Sequence, residues 1–232
     1  MPNKNDKPIE LRSGSGDFNY NTTVNAEYTI EKRSDGTEEI KFTGRISGRG
    51  IPFNETANVN NCFYERIEPG AIQQKVLKDV AMFINHRVNE IPVARSKNGK
   101  GSLKLEIKPD GVYYDTQLDI ENDVEARRLC SAIYRGDING TSFIMHVSKE
   151  RWEDLDKRMP TRIIEEIDYI QEISPVNYPV YDKSTNIDLR SANALDNARA
   201  TLDNAKKQML EKRQSEKLAE LKNKIKNKYG KR

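Results

Sequence analysis

Few side chains in this chain are suited to moving protons or forming covalent intermediates, so their positions are informative. Ser142 lies in the stretch R-G-D-I-N-G-T-S-F-I-M-H-V, from Arg135 to Val147, two residues after Gly140. There a turn is expected to give way to a strand. A hydroxyl on stiff strand backbone, beside a glycine that lets other backbone or substrate come close, suits a nucleophile with backbone N–H groups at hand for an oxyanion. An ordinary strand serine has the same local look, so partners elsewhere must decide. The chain has two histidines, His86 and His146, and histidine is the side chain that most readily serves as a base near neutral pH. His86 follows the apolar run V-A-M-F-I (Val80–Ile84), a place where a ring is fixed yet reaches the rim of a sheet. His146 is four residues beyond Ser142 on the same strand. Strand rise puts the two about 13 Å apart, too far for a direct hydrogen bond. His86 is therefore the better base.

A third group should orient the imidazole and offset its charge. The acids on expected strands are Glu106, Asp115, Glu165, Glu166, Asp168 and Glu172, and spacing alone does not choose among them. The histidines lack H-x-x-x-H spacing, and the two cysteines, Cys62 and Cys130, are far apart. Neither pattern points to zinc, and no glycine-rich phosphate loop points to nucleotide hydrolysis. The cysteines read as two reduced, half-buried thiols.

The elements that must position these groups can be read in part. Glu39–Gly48 reads as a half-buried strand through Ile40, Phe42 and Ile46, with Gly44 and Gly48 as bulge points. A polar loop to Asn61, a strand from Phe63, a turn at Pro69-Gly70 and a short helix over 71–78 follow. Val80–Ile84 reads as a buried strand. Leu103, Leu105 and Ile107 alternate with charged residues, and Lys108-Pro-Asp-Gly111 turns the chain into Val112–Leu118, which predicts a hairpin. Asn122 or Asp123 can cap a helix to about Arg135, with Val124, Leu129, Ala132 and Ile133 inward and Gly136 ending it. After the Ser142 strand come Trp152 and a charged loop, then one long strand or two from Thr161 to Ser174.

Of the 232 residues, 35% are hydrophobic and 32% charged, which predicts a compact centre with polar ends. The boundaries drawn are a flexible arm over 1–37, with a short strand near Glu27–Glu31, a catalytic domain over 38–183, and a basic helical tail over 184–232. Residues 191–228 contain no Gly or Pro, and Leu195, Leu202 and Met209 fall seven apart with Ala198 and Ala205 between them. That is a weak heptad seam for a helix packing on itself or on a partner. A net charge of +3 gives no reason to expect nucleic acid as a partner of the whole chain, and a basic helix end is more often simply solvated. No apolar run is long enough for a membrane span, and the N-terminus has no signal-peptide core.

Several motifs together resemble one known family. They are G-R-G-I-P-F-N at 48–54, E-R-I-E-P-G-A-I at 65–72, F-I-N-H at 83–86, I-P-V-A-R-S at 91–96, R-G-D-I-N-G-T-S-F at 135–143 and I-Q-E-I-S-P-V-N-Y-P-V-Y at 170–181. Over roughly residues 40–182 the chain resembles the prohead (procapsid) maturation proteases of tailed bacteriophages, which are similar in fold to the herpesvirus assembly protease. The resemblance implies an α+β fold with a closed or nearly closed, mostly antiparallel β-barrel flanked by helices, and the helical tail read from composition follows it. It implies a serine endopeptidase with Ser142 as nucleophile, His86 as base and Glu172 as third member, and no cofactor. The herpesvirus relatives use a second histidine in the third place, which leaves His146 a minor claim. Arg162 is a candidate oxyanion donor. The implied partners are the major capsid protein with its scaffolding segment and the chain itself, through autocleavage. The implied location is the host cytoplasm and then the procapsid interior. A reading from another class makes the chain a non-catalytic scaffolding or assembly partner that binds capsid subunits through its C-terminal helix.

Overall fold

The computed structural model describes residues 10–14, 24–32, 37–59, 61–177 and 189–229. Eleven strands and two α-helices are found there. The strands are β1 (Glu10–Gly14), β2 (Val24–Lys32), β3 (Glu38–Pro52), β4 (Thr56–Val59), β5 (Phe63–Ile67) and β6 (Ala81–Met82). They continue with β7 (Ala94–Arg95), β8 (Leu103–Lys108), β9 (Gly111–Gln117), β10 (Gly140–Glu153) and β11 (Thr161–Val176). The helices are α1 (Val124–Arg135) and α2 (Leu189–Tyr229). Among the described residues, no helix is long and apolar enough to cross a membrane.

Two sheets carry the core. A four-stranded antiparallel sheet runs β2-β3-β9-β8, and a seven-stranded sheet runs β1-β10-β11-β5-β4, with β6 against β11 and β7 against β6. The mostly antiparallel α+β architecture and the C-terminal helix match expectation, but the closed barrel does not. Among the described residues the strands form two separate sheets. Moreover, β11 meets both β5 and β6 in parallel. Alternation of apolar residues reveals which face of a strand is buried, not which strand bonds to its edge.

Local chemistry accounts for most elements. The β8–β9 hairpin turns at Pro109-Asp110, with Lys108 paired to Gly111. The first irregularity in β3 brackets Gly44, whose φ of 85° needs a glycine, and the second falls between Arg49 and Ile51. Gly48, the other expected bulge, pairs regularly with Val24 and Tyr114. Asp123 caps α1 by accepting from the N–H groups of Glu125 and Ala126 at 2.8 and 3.3 Å. The buried face of α1 is Ala126, Leu129, Cys130 and Ile133, while Val124 is exposed. Val59 and its neighbours, read as loop, form β4, and the segment read as an arm supplies β1 and β2. The run Val80–Ile84 contributes only two strand residues before it leaves the sheet.

The core lies where side chains from both sheets and α1 meet, with Ile46, Leu103, Met82, Met145, Ile170 and Leu129 essentially inaccessible. A smaller cluster sits at the other end of β10. There Leu195 and Ala198 of α2 pack on Val59 and Phe63, flanked by Cys62 and Trp152. The first part of the seam, expected to pack on the helix itself or on a partner, thus docks α2 on the chain's own sheet through Leu195, Ala198 and Leu202. Beyond it Leu210, Leu218, Leu221 and Ile225 are exposed.

Candidate active site

The site is assembled on the paired strands β10 and β11. Ser142 lies directly opposite Ser174, and Ile144 opposite Glu172, in unbroken register from Gly140↔Val176 to Ile144↔Glu172. Directly opposed residues share a face, and residues two apart on a strand do too. Ser142, Ser174 and Glu172 therefore face the same side, and all three are fully buried.

His86 reaches this face from outside the two strands. Ala81 of β6 pairs in parallel with Glu172, which carries the following residues along the end of β11. Phe83 N–H then donates to Ser174 Oγ at 3.0 Å, and Asn85 N–H donates to Pro175 O at 3.0 Å. Asn85 returns the connection, its Oδ1 accepting from Asn177 N–H at 3.0 Å. Asn85 and His86 are both left-handed, with φ of 54° and 57°. Left-handed backbone costs a non-glycine residue about 1–2 kcal/mol. Two such residues in succession persist because the surrounding hydrogen bonds hold the turn, and strain of this kind is concentrated at functional sites.

The turn delivers His86 Nδ1 onto Glu172 Oε1. The other carboxylate oxygen accepts from Ser174 Oγ–H at 2.6 Å. Glu172 thus accepts two hydrogen bonds, one from the imidazole and one from a hydroxyl that is itself fixed by Phe83 N–H. A proton on Nδ1 leaves Nε2 as the imidazole's bare acceptor. Nε2 is buried and has no hydrogen-bond partner in the described structure. An imidazole so held can take a proton on Nε2 while Glu172 offsets the charge. Among the six acids left open by spacing, Glu172 is the one on His86.

Other candidates are placed elsewhere. His146 Nδ1 is bonded to Asp168 Oδ1, a separate couple farther along the same two strands. Arg162, a candidate oxyanion donor beside the backbone N–H groups near Ser142, is opposite Trp152. Ten residues of β10 separate it from Ser142, about 30 Å of strand. It is buried between Glu65, at 3.0 Å, and Glu150, and this pairing explains an arginine in the core. Ser174 and Asn85 were not singled out from the sequence. The motifs I-S-P and I-N-H contain both, but nothing in their composition reveals a hydroxyl aimed at a carboxylate or two left-handed residues in a row.

Beside the His86 turn a cavity of about 440 Å³ opens toward α1, lined in part by Arg87, Arg127, Arg128, Arg135, Glu125 and Asp137. Across the core, Tyr114 O–H and Thr141 Oγ lie 3.0 Å apart and tie β9 to β10 one residue before Ser142. Burial raises the Tyr114 pKa above its ordinary value, which keeps this phenol neutral. Among the described residues, no group of three or more His, Cys, Asp or Glu side chains is placed to hold a metal ion.

The family model for caudovirus prohead serine proteases matches residues 28–199. The chain belongs to this family. The protease acts in phage head maturation, and its association is with the procapsid. Among solved structures it is similar to the capsid assembly protease gp21 of bacteriophage T4, at 14% identity and a TM-score of 0.42, over 75% of this chain and all (100%) of that one. Among curated proteins none matches.

Proposed function

We propose that Ser142 is the nucleophile, His86 the general base and acid, and Glu172 the group that orients His86. The observation that carries this reading is the buried chain of contacts from Phe83 N–H through Ser174 and Glu172 to His86, on the face that Ser142 shares. Ser142 Oγ attacks the scissile carbonyl as its proton passes to His86 Nε2. The imidazolium, steadied by Glu172, then gives that proton to the leaving amine. Water repeats the sequence on the acyl-enzyme and restores the hydroxyl. The substrates that fit the family's role are the scaffolding segment of the capsid protein and the protease's own ends. Cleavage follows synthesis in the host cytoplasm and takes place inside the procapsid.

Ser142→Ala and His86→Ala should each abolish cleavage of co-expressed capsid protein, with the fold retained by circular dichroism. Undiminished cleavage in both would overturn the assignment.

A second role is favoured by one observation. The distal half of α2 is strongly basic and exposes Leu210, Leu218, Leu221 and Ile225. It is suited to holding the protease against capsid subunits. Truncation after Leu202 keeps the docked turns. Truncated protease that still cuts a capsid peptide but no longer enters particles identifies a docking element. Particles that assemble with Ser142→Ala and fail only on truncation would make scaffolding the main role.

A further inference from the structure

In the part of β10 that carries Ser142, one edge is bonded to β11 and the other to β1. The antiparallel register of β1 places Arg12 opposite Phe143, Ser13 opposite Ser142 and Gly14 opposite Thr141. Without β1, residues 141–145 would present a row of unpaired N–H and C=O groups beside the nucleophile. Such an edge is a template for adding an extended peptide, and peptide recognition often uses it. The segment 10–14 contains no proline, so the alternate residues that face β10 all carry an N–H for the ladder. A second observation agrees with a filled edge. Ser142 has no solvent exposure, although a nucleophile that cuts other chains must be reached by them.

We propose that the β10 edge over Thr141–Met145 is an extended-peptide site, and that residues 10–14 occupy it as the protease's own competitor for substrate. The proposal rests on the assignment of Ser142 as nucleophile. Only residues 15–23 separate β1 from β2, whose place beside β3 is set by eight residue pairs. A tether that short gives the segment an effective concentration of roughly millimolar, so weak pairing suffices to fill the edge. A substrate strand presented at high local concentration displaces it. The N-terminal segment, which α2 also flanks, thereby becomes a threshold on activity.

The test uses the full chain with Arg12→Pro and, separately, Ser13→Pro; successive antiparallel pairs alternate, so one of the two removes an N–H from the ladder and the other, on the outward edge, is its control. Three quantities are read: labelling of Ser142 by a fluorophosphonate, hydrogen exchange at the amides of residues 141–145, and binding of a fluorescent peptide spanning residues 8–16. The expected result, in the variant that loses a ladder N–H, is faster exchange, labelling accelerated at least tenfold, and peptide binding that slows labelling again. On the unaltered chain, excess peptide should bind far more weakly than on that variant. Faster exchange with unchanged labelling would overturn the proposal while leaving the protease reading intact. So would failure of the peptide to bind either proline variant. Peptide binding without labelling in any chain would uphold the peptide site and count against Ser142 as nucleophile.

Discussion

Glu172→Gln is the most exacting test of the buried network, because it keeps shape and removes charge. The carboxylate has two acceptor oxygens, one used by His86 Nδ1 and the other by Ser174 O–H at 2.6 Å. An amide has one oxygen and one NH₂, so the two donors compete for a single acceptor. If the oxygen turns to Ser174, NH₂ faces Nδ1, and the imidazole must carry its proton on Nε2. It can then no longer receive the proton that the proposed mechanism passes from Ser142. If the oxygen turns to His86, Ser174 loses a hydrogen bond to a charged acceptor, about 1.5–3 kcal/mol, and its hydroxyl must reorient against Phe83 N–H. The first arrangement should dominate. The expected loss in kcat is on the order of 10³–10⁴, or about 4–5.5 kcal/mol in the barrier. Adding Ser174→Ala removes the competitor for the amide oxygen. The double variant should therefore be no slower than Glu172→Gln alone, although Ser174→Ala by itself lowers the rate by loosening Glu172. The assay is cleavage of a capsid-derived peptide at saturating concentration, with circular dichroism as the folding control. A Glu172→Gln variant within threefold of the unaltered protease, or strictly multiplicative losses in the double variant, would refute the reasoning.

Three further outcomes are expected. His146→Gln should leave kcat within about threefold, because its partner is Asp168 rather than the Glu172 network; a loss comparable to that of His86→Ala would move the third role to His146. Arg162→Ala should destabilise the fold by about 3–5 kcal/mol by stranding Glu65 and Glu150, read as a shift of the denaturation midpoint, whereas an unchanged midpoint would contradict the buried pairing. At pH 8, iodoacetamide should modify Cys62 and spare Cys130, because burial pushes the Cys130 thiol up to about 11 and leaves roughly one part in a thousand as thiolate. Equal labelling of both by mass spectrometry in the folded state would contradict this.

What the sequence disclosed was mostly local. Alternation of Leu103, Leu105 and Ile107 with charge, followed by Pro109-Asp110-Gly111, identified the hairpin because the signals span only a few residues. The limits of α1 were legible from Asp123 and Gly136 for the same reason. Ser142 and His86 were singled out from residue type and position and Glu172 through the family resemblance, and geometry then joined His86 to Glu172. Pairings between distant segments were not legible. The parallel contact of β6 with β11 and the seat of β1 beside Ser142 leave no periodic trace in either partner. Arg162 was misread because a basic residue on a strand gives no hint of which acids it will meet in the core.

The attachment of α2 has a mechanical consequence. Among the described residues, Leu195, Ala198 and Leu202 hold it near Trp152, and the helix also runs against β1, the strand seated beside Ser142. The remaining turns, residues 203–229, reach about 40 Å past that grip. A pull on that tip would be carried, as by a rigid pole, to the strand that lies beside Ser142.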